Sequence, residues 1–175
     1  MTESRPDRLV NKIVIRGRIE DIWRELTKNN EPQAAVFNAW LHAQRLAPGA
    51  KLQMRTSNGK FVLVIGDVLE FDPPHRFAHT FRFTQFDDPA CTVIYELKPV
   101  SDGVEVSLIV DNLPVGTRTA KEMTSGGPMI LRTLKAVVET GRPTIGIRVM
   151  YWLMARMSFV LPKRCRAEVW PLQQS

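Results

Sequence analysis

The sequence predicts an α+β domain in which a curved antiparallel β-sheet wraps around a long C-terminal helix and encloses an apolar cavity. Apolar and polar residues alternate in several runs between residues 51 and 111, and short turn-forming segments separate the runs. Connections that short form hairpins, so the sheet is antiparallel. One long segment of helical periodicity follows, over about 120–140. Its apolar stripe must be buried against a sheet, which brings both parts into one core.

The length and composition are those of a single folded domain with an appendage. The chain has 175 residues, of which 44% are hydrophobic and 24% charged. Both fractions are close to the averages of folded soluble domains, which excludes a disordered or fibrous chain. We therefore predict one domain over 1–143 and an appendage over 144–175 that consists of an apolar helix and a basic tail.

The residues before the main series of strands predict one strand and two short helices. Leu9–Ile15 carries β-branched residues in an alternating run, as a strand does. From Ile19 to Leu26 the apolar residues recur at helical spacing, and acidic residues occupy the first turn. Pro32 is then well placed to open a second short helix, which continues to about Trp40.

Five further strands and the long helix follow. The predicted strands cover 51–56, 61–71, 75–84, 91–100 and 103–111. Gly66 lies in the middle of the longest one, where a glycine often marks a bulge or a bend. Gly141 is placed to cap the C-terminus of the long helix, and Pro143 prevents its continuation.

Charge and cysteine content bear on the partners. The net charge is +6, and the basic residues are spread along the chain apart from Lys163, Arg164 and Arg166. Nucleic-acid binding needs such residues on one face beside stacking aromatics, so we predict no nucleic-acid partner. Cys91 and Cys165 occur without any metal-ligand spacing. We therefore predict two free thiols, no metal and no cofactor.

The N-terminal residues bear on location. The first eight residues are polar and charged, without the apolar stretch of a secretory signal. Free thiols also suit a reducing compartment. We therefore predict a cytoplasmic protein.

Three segments are similar to motifs of a known superfamily. They are IEDIWRELT at 19–27, GDVLEFDPPHRF at 66–77, and GGPMILRTLK at 126–135 with ETG at 139–141. On these motifs the chain resembles the START-like (SRPBCC, helix-grip) domains, and within them the branch of homologues of the activator of the heat-shock protein 90 ATPase. The resemblance spans about 9–143. It implies a helix-grip fold and a ligand-binding or chaperone-related function, since the superfamily includes carriers of apolar ligands, cyclases and hydrolases.

The chain departs from the family pattern at one position. Gly127 stands where the family often has tryptophan. Loss of an indole between helix and sheet leaves extra volume unless neighbours such as Met123 or Met129 fill it. We therefore hypothesise an enlarged or reshaped pocket in this member.

The candidate ligand-binding residues are those that the alternation turns inward. His79 lies in a row of phenylalanines on one face of its strand, and Tyr95 lies on the matching face of the next strand. Apolar pockets with a few convergent polar groups are typical of ligand sites. The other residues of the predicted lining are Trp40, Met54, Phe81, Met123, Gly127, Ile130 and Leu131. Each of these residues, His79 and Tyr95 included, is also compatible with an ordinary core position.

The appendage allows three interpretations. Residues 144–161 are nearly all apolar and form about one helix, but two arginines within so short a segment argue against a membrane span. The outward side at helical spacing includes Tyr151 and Phe159, and the inward side includes Val149, Leu153 and Met157. The helix packs on its own domain, forms a homodimer interface through 145–161, or lies on a membrane beside the basic tail. We favour self-packing or dimerisation and regard a membrane as the weaker interpretation.

Three functions follow as hypotheses. The first is binding of a small, largely apolar molecule in the internal cavity. The second is a co-chaperone-like or protein-interaction module. The third is an enzyme that acts on an apolar substrate with His79 and Tyr95 as acid and base. The sequence has no GxSxG motif and no context that activates a cysteine, so no covalent catalytic residue is predicted.

Overall fold

The computed structural model describes residues 7–172. One antiparallel sheet contains eight strands in the order β1-β8-β7-β6-β5-β4-β3-β2, and it curls into a half-barrel around the helices. The predicted α+β fold with a curved sheet and a long C-terminal helix is therefore confirmed. The elements are β1 (Leu9–Ile15), α1 (Ile19–Thr27), β2 (Pro32–Gln33), β3 (Ala39–Ala43), β4 (Lys51–Arg55), β5 (Val62–Asp72), β6 (Arg76–Phe83), β7 (Cys91–Val100), β8 (Gly103–Asp111), α2 (Arg118–Thr140) and α3 (Ile145–Arg156).

The two helices α1 and α2 meet on the inner face of the sheet. Helix α1 begins with Glu20 and Asp21 in its first turn, where carboxylates are favourable near the helix N-terminus. A Cβ at Gly17 would lie 2.7 Å from Cγ1 of Val138, so glycine allows the start of α1 to approach the end of α2 closely. Trp23 of α1 is buried, and its ring packs on Phe71 at 5.4 Å between centroids.

The second short helix predicted over 32–40 is wrong. Two strands, β2 and β3, and a turn between them occupy this segment. Phe37 and Asn38 both have positive φ, which a helix does not allow. The side chain of Gln33 donates from Nε2 to the carbonyl oxygen of Leu26 at 2.9 Å, which fixes the turn to the end of α1. The alternation of Ala39, Leu41 and Ala43 with two larger residues is the signal for a strand.

Helix α2 is capped at both ends. The side chain of Thr117 accepts a hydrogen bond from the backbone N–H of Ala120 at 3.2 Å, as an N-cap residue does. Gly141 has φ +78°, and its N–H donates to the carbonyl of Val137 at 2.8 Å, so the predicted C-cap is confirmed. Pro128 lies inside the helix and cannot donate to the carbonyl four residues earlier.

Strand β5 approaches β6 closely at Gly66, which was predicted to mark a bulge or a bend. A Cβ at Gly66 would lie 1.9 Å from the carbonyl oxygen of Thr80, so only glycine allows β5 and β6 to approach this closely. The register shift itself lies slightly further along, between Val68 and Glu70.

Residues 166–170 pack on the outer face of the sheet. Arg166 forms an isolated antiparallel bridge with Phe61, and the backbone N–H of Ala167 donates to the carbonyl of Lys60 at 2.9 Å. The carbonyl oxygen of Trp170 accepts from Nε2 of Gln53 at 2.7 Å. Cys165 is fully buried beneath this segment, and it and Cys91 are both free thiols. The basic tail therefore packs on its own domain.

Helix α3, which precedes the tail, is exposed. The inward side predicted for Val149, Leu153 and Met157 is wrong, because each of them is about half exposed. Tyr151, predicted to face outward, instead donates from its hydroxyl to the carbonyl oxygen of Ala34 at 2.8 Å. Within residues 7–172, no helix has both the length and the apolar character needed to cross a membrane.

Candidate functional site

A cavity of about 250 Å³ lies between the inner face of the sheet and α2. Strands β3 to β8 supply its floor, the segment 122–130 of α2 covers it, and Met154 of α3 lies at its edge. The lining is mainly apolar. Its polar side chains are those of His79, Tyr95, Glu122 and Ser125.

Most of the predicted ligand-binding residues meet at this cavity. The ones that line it are Met54, His79, Phe81, Tyr95, Met123, Gly127 and Ile130. Trp40 does not line it, because its segment is a strand and residues 39, 41 and 43 of that strand face inward; Ala39 takes its place. Leu131 also does not line it. It is 2% exposed and packs within the main core, since it points about 100° away from Ile130 around the helix.

Sequence reasoning missed several parts of the wall, among them strands β5 and β8, the turn between β2 and β3, and one residue of α3. Val36 and Phe37 come from the turn between β2 and β3, which was interpreted as a helix. Met154 comes from the appendage, whose packing the sequence left open. The apolar pair Val36-Phe37 next to Asn38 was the available signal, because asparagine commonly adopts the positive φ of a turn.

Aromatic rings form a continuous row along the inner face. Neighbouring rings on β6 lie 5.1 Å apart between Phe77 and His79, 6.3 Å between His79 and Phe81, and 4.8 Å between Phe81 and Phe83. Tyr95 stacks on Phe77 at 6.5 Å. The β6–β7 register pairs Phe77 with Tyr95 and His79 with Val93. His79 and Tyr95 are therefore diagonal neighbours on one face, within reach of one small ligand.

His79 is a neutral hydrogen-bond acceptor towards the cavity. Its Nδ1 lies 2.8 Å from the carbonyl oxygen of Thr80. A carbonyl oxygen only accepts, so Nδ1 carries the proton and Nε2 of the neutral ring holds a lone pair. Burial lowers the pKa of His79 to about 4, only partly opposed by that hydrogen bond. No partner for Nε2 is found among residues 7–172.

Tyr95 is a hydrogen-bond donor next to this acceptor. It is 4% exposed, and burial raises the pKa of its hydroxyl well above the ordinary value, so it stays protonated. Within the described part of the chain, the hydroxyl of Tyr95 has no hydrogen-bond partner, whereas that of Tyr151 is bonded to Ala34. The cavity therefore presents one donor and one acceptor in an apolar wall.

The roof of the cavity is a segment of α2 with little side-chain volume. Gly126, Gly127 and Pro128 follow one another there. A Cβ at Gly127 would lie 2.8 Å from Nδ2 of Asn11 and 3.8 Å from Cδ2 of Leu108. Glycine at this position thus allows α2 to approach the sheet, in addition to lining the cavity. The hypothesis that Gly127 enlarges the pocket relative to the family stays a prediction.

A second depression, of about 450 Å³, lies on the outer face of the sheet. The tail residues Val169 and Trp170 border it, together with charged residues such as Lys51, Asp67 and Arg82. It is larger than the inner cavity but more open to solvent, and charged side chains form part of its lining. Small-molecule sites are typically enclosed and mainly apolar, so we place the candidate site on the inner face.

The fold is similar to several solved structures. Protein CV1439 from Chromobacterium violaceum has 21% sequence identity and a TM-score of 0.59, over 77% of this chain and 99% of that one. CalU16 from Micromonospora echinospora has 17% identity and a TM-score of 0.61, over 88% and 87%. The Aha1 dimer from Colwellia psychrerythraea has 16% identity and a TM-score of 0.60, over 77% and 97%. The search of curated proteins finds no match.

The family of the chain follows from a match to its sequence model. That model, described as activator of Hsp90 ATPase homolog 1-like protein, matches residues 17–139. The matched part begins just before α1 and ends just before the C-cap of α2, so it includes the whole inner face of the sheet from β2 to β8 and both helices that cover it. The chain belongs to the family of activator of Hsp90 ATPase homolog 1-like proteins.

Proposed function

We propose that the inner cavity binds a small, largely apolar molecule that carries one hydroxyl or similar polar group. The observation that carries this proposal is the pairing of a free acceptor, Nε2 of His79, with a free donor, the hydroxyl of Tyr95, in an otherwise apolar wall. A hydroxyl group on the ligand can donate to the first and accept from the second. Among residues 7–172 neither group has a partner, and the ligand hydroxyl would supply one to each.

The size of the cavity limits the ligand. A volume of about 250 Å³ exceeds the ~150 Å³ of an apolar cavity that accepts benzene, and lies just below the roughly 300 Å³ at which ordinary ligand pockets begin. A molecule of one or two fused rings, or an aliphatic chain of comparable volume, matches this space. Longer ligands would have to extend past Met154 at the edge of the cavity.

The protonation states favour binding over acid–base catalysis. An efficient general acid or base has a pKa near the working pH. The pKa of His79 is about 4, and that of Tyr95 is raised far above neutrality. At neutral pH both groups therefore keep their protons in place, which suits recognition of a fixed hydroxyl. The family description concerns an activator of Hsp90 ATPase, and no described residue of this chain favours that activity over binding.

The test uses 2-naphthol and naphthalene as matched probes, because they share two fused rings and differ by one hydroxyl. We expect 2-naphthol to bind the purified protein about tenfold more tightly than naphthalene, since a hydrogen bond contributes about 1–1.5 kcal/mol. In Tyr95→Phe and in His79→Phe this preference should shrink towards zero. Isothermal titration calorimetry measures all combinations.

Tyr151→Phe is the matched control, because it removes the only other tyrosine hydroxyl of the chain and one already bonded to Ala34. It should retain the preference for 2-naphthol. Native mass spectrometry of freshly purified protein, followed by denaturing extraction, identifies any natural ligand. If neither probe binds and no small molecule co-purifies, the binding function is rejected.

A further inference from the structure

The most exposed apolar surface of the protein follows the end of α2. Phe159 is 80% exposed and Ile145 is 77% exposed, although both are large apolar residues. The other large apolar residues of 145–160 that are more than half exposed are Val149, Trp152, Met157 and Val160. We call these six residues the C-terminal apolar surface. Exposed large apolar residues concentrated in one segment indicate a site of interaction with a partner or a membrane.

The same segment is strongly and exclusively basic. Between residues 140 and 167 there is no aspartate or glutamate, whereas six arginines and lysines occur: Arg142, Arg148, Arg156, Lys163, Arg164 and Arg166. Of these six, only Arg164 has an ion pair within the described residues, with Asp87. Arg156 lies over the ring of Trp152 at 4.4 Å, so one cation and one exposed aromatic are adjacent. The segment that carries the apolar surface thus also carries five basic side chains without an ion pair among the described residues.

We propose that the C-terminal apolar surface docks on an anionic phospholipid bilayer. Helices that lie in a membrane interface combine exposed apolar and aromatic side chains with lysine and arginine, and they bind through both. Tryptophan is favoured at the level of the lipid headgroups. Each basic residue near an anionic surface adds to the attraction, and no carboxylate of this segment opposes it. The exposed side of α3 is not packed on its own domain, and the charge of the segment favours a bilayer as its partner.

A second copy of the chain matches this surface less well. In a symmetric dimer the same patch faces itself, so the unpaired arginines of α3 would face those of its partner. Each chain also carries a net charge of +6. Like charges brought together in this way oppose association, whereas lipid phosphates neutralise them.

Docking would have a consequence for the cavity. Met154 of α3 lines the cavity, and Tyr151 attaches the helix to Ala34 of the neighbouring turn. A bilayer in contact with α3 would therefore lie next to the cavity edge, and an apolar ligand could pass between the two without crossing water. This consequence rests on the proposed function, but the docking does not, because it depends only on exposure and charge.

The experiment measures binding of the full chain to sucrose-loaded vesicles by sedimentation. We expect binding to phosphatidylcholine vesicles that contain 30% phosphatidylglycerol, and much weaker binding to pure phosphatidylcholine. Raising the salt from 0.1 to 0.5 M NaCl should reduce it, since the attraction is screened. Arg148→Gln with Arg156→Gln should lower the partition coefficient by roughly 30-fold, and Trp152→Ser with Phe159→Ser by at least tenfold.

Matched controls use residues of equal exposure elsewhere. Val115→Ser changes a residue that lies outside this surface and is 64% exposed. Arg18→Gln with Arg24→Gln removes two exposed charges, one at the N-cap of α1 and one within α1. These should leave vesicle binding unchanged within about threefold, because they leave the surface intact. Titration with 2-naphthol in each variant reports separately on the cavity, so a failure of docking and a failure of ligand binding are distinguishable.

Two results would overturn the proposal. The first is no sedimentation of the full chain with vesicles that contain phosphatidylglycerol. The second is a wild-type protein that does not bind vesicles and is a dimer in analytical ultracentrifugation, whereas the Trp152→Ser and Phe159→Ser double variant is a monomer. That result would assign the surface to a second copy.

Discussion

The inner face of the sheet has two ends that share one aromatic row but differ in how they are filled. At one end Trp23 of α1 packs on Phe71, which packs on Phe77 at 5.7 Å, and none of these three residues lines the cavity. At the other end Phe81 and Phe83 border the cavity. Helix α2 covers both ends. The difference therefore has to come from what α2 and its neighbours contribute at each end.

Helix α2 changes in composition along its length. Its second half contributes branched side chains, and Leu131 and Leu134 are fully buried there. Its middle contributes Gly126, Gly127 and Pro128, whose side chains fill little space. Packing in a protein core leaves few voids, so a missing side chain above the sheet leaves a cavity unless a neighbour fills it. A cavity can thus arise where a helix presents residues with small side chains, such as glycine, to the sheet below it.

The largest expected effect contrasts one phenylalanine from each end. Phe77→Ala should lower the free energy of unfolding by about 3–5 kcal/mol, because Phe77 is 2% exposed and its neighbours already fill the space around it. Phe83→Ala should cost about 1–2 kcal/mol, because Phe83 is only partly buried and already borders empty volume. Urea unfolding followed by circular dichroism measures both.

The slopes of the two unfolding curves should match that of the wild type, which shows that the same surface becomes exposed. Equal losses of stability at Phe77 and Phe83 would contradict the view that the two ends are packed differently.

The second prediction concerns pH and the histidine at the boundary between the ends. The pKa of His79 is about 4 in the folded protein, against 6.5 for an ordinary histidine. Between these values the unfolded chain binds more protons than the folded one, so stability falls as the pH falls from 6.5 towards 4. We expect a loss of roughly 2 kcal/mol by pH 5 and on the order of 3 kcal/mol by pH 4. Urea unfolding at pH 7.5, 6, 5 and 4 measures it.

The control for this prediction is the other shifted histidine. Burial, followed by the charge of Arg55, also lowers the pKa of His42, so His42 contributes in the same direction. His79→Phe should remove most of the pH dependence above pH 5, and His42→Gln should remove much less. Acidic groups with lowered pKa, such as Asp87 and Glu139, lose their contribution only below their ordinary pKa values. A His79→Phe protein with an unchanged pH profile would show that His79 is not buried as described.

Much of the sheet and its inner face could be predicted from the sequence because strand alternation is local. The row that contains Phe77, His79, Phe81 and Phe83 follows from the two-residue period of one strand. Tyr95 lies opposite that row because β6 and β7 are antiparallel neighbours whose register pairs Phe77 with Tyr95. These two rules bring most of the predicted residues together at the cavity.

The parts that the sequence did not predict depend on contacts between distant segments. Pro32 and the alanines near it suit a helix, but the hydrogen bond from Gln33 to Leu26 and the positive φ values of Phe37 and Asn38 make a turn. Trp40 was predicted to line the site for the same reason. Its segment was expected to be a helix, whereas it forms a strand in which Trp40 does not face the cavity. The exposure of α3 depends on which surface the rest of the chain leaves available, and local pattern does not determine that.

The smallest expected effect on stability is the difference between alanine substitutions at the two adjacent glycines of the roof, Gly126 and Gly127. A Cβ at Gly126 would lie 3.7 Å from Cζ of Phe37, an ordinary contact, whereas one at Gly127 would lie 2.8 Å from Nδ2 of Asn11. Gly126→Ala should therefore raise the free energy of unfolding by about 0.5–1 kcal/mol through helix propensity alone. Gly127→Ala should raise the free energy of unfolding by less than this or not at all, because the side chain of Asn11 must move to make room for the new Cβ.

The double variant Gly127→Ala with Asn11→Ala sharpens this comparison. Relative to Asn11→Ala alone, the double variant should have a free energy of unfolding that is higher by about 0.5–1 kcal/mol. The Asn11 side chain that limits the alanine at 127 is then absent. Urea unfolding of the four proteins of this cycle gives the coupling between the two positions. A coupling near zero would mean that Asn11 does not limit the approach of α2, so the cavity beside Gly127 would follow from the missing side chain alone and not from how closely the helix packs on β1.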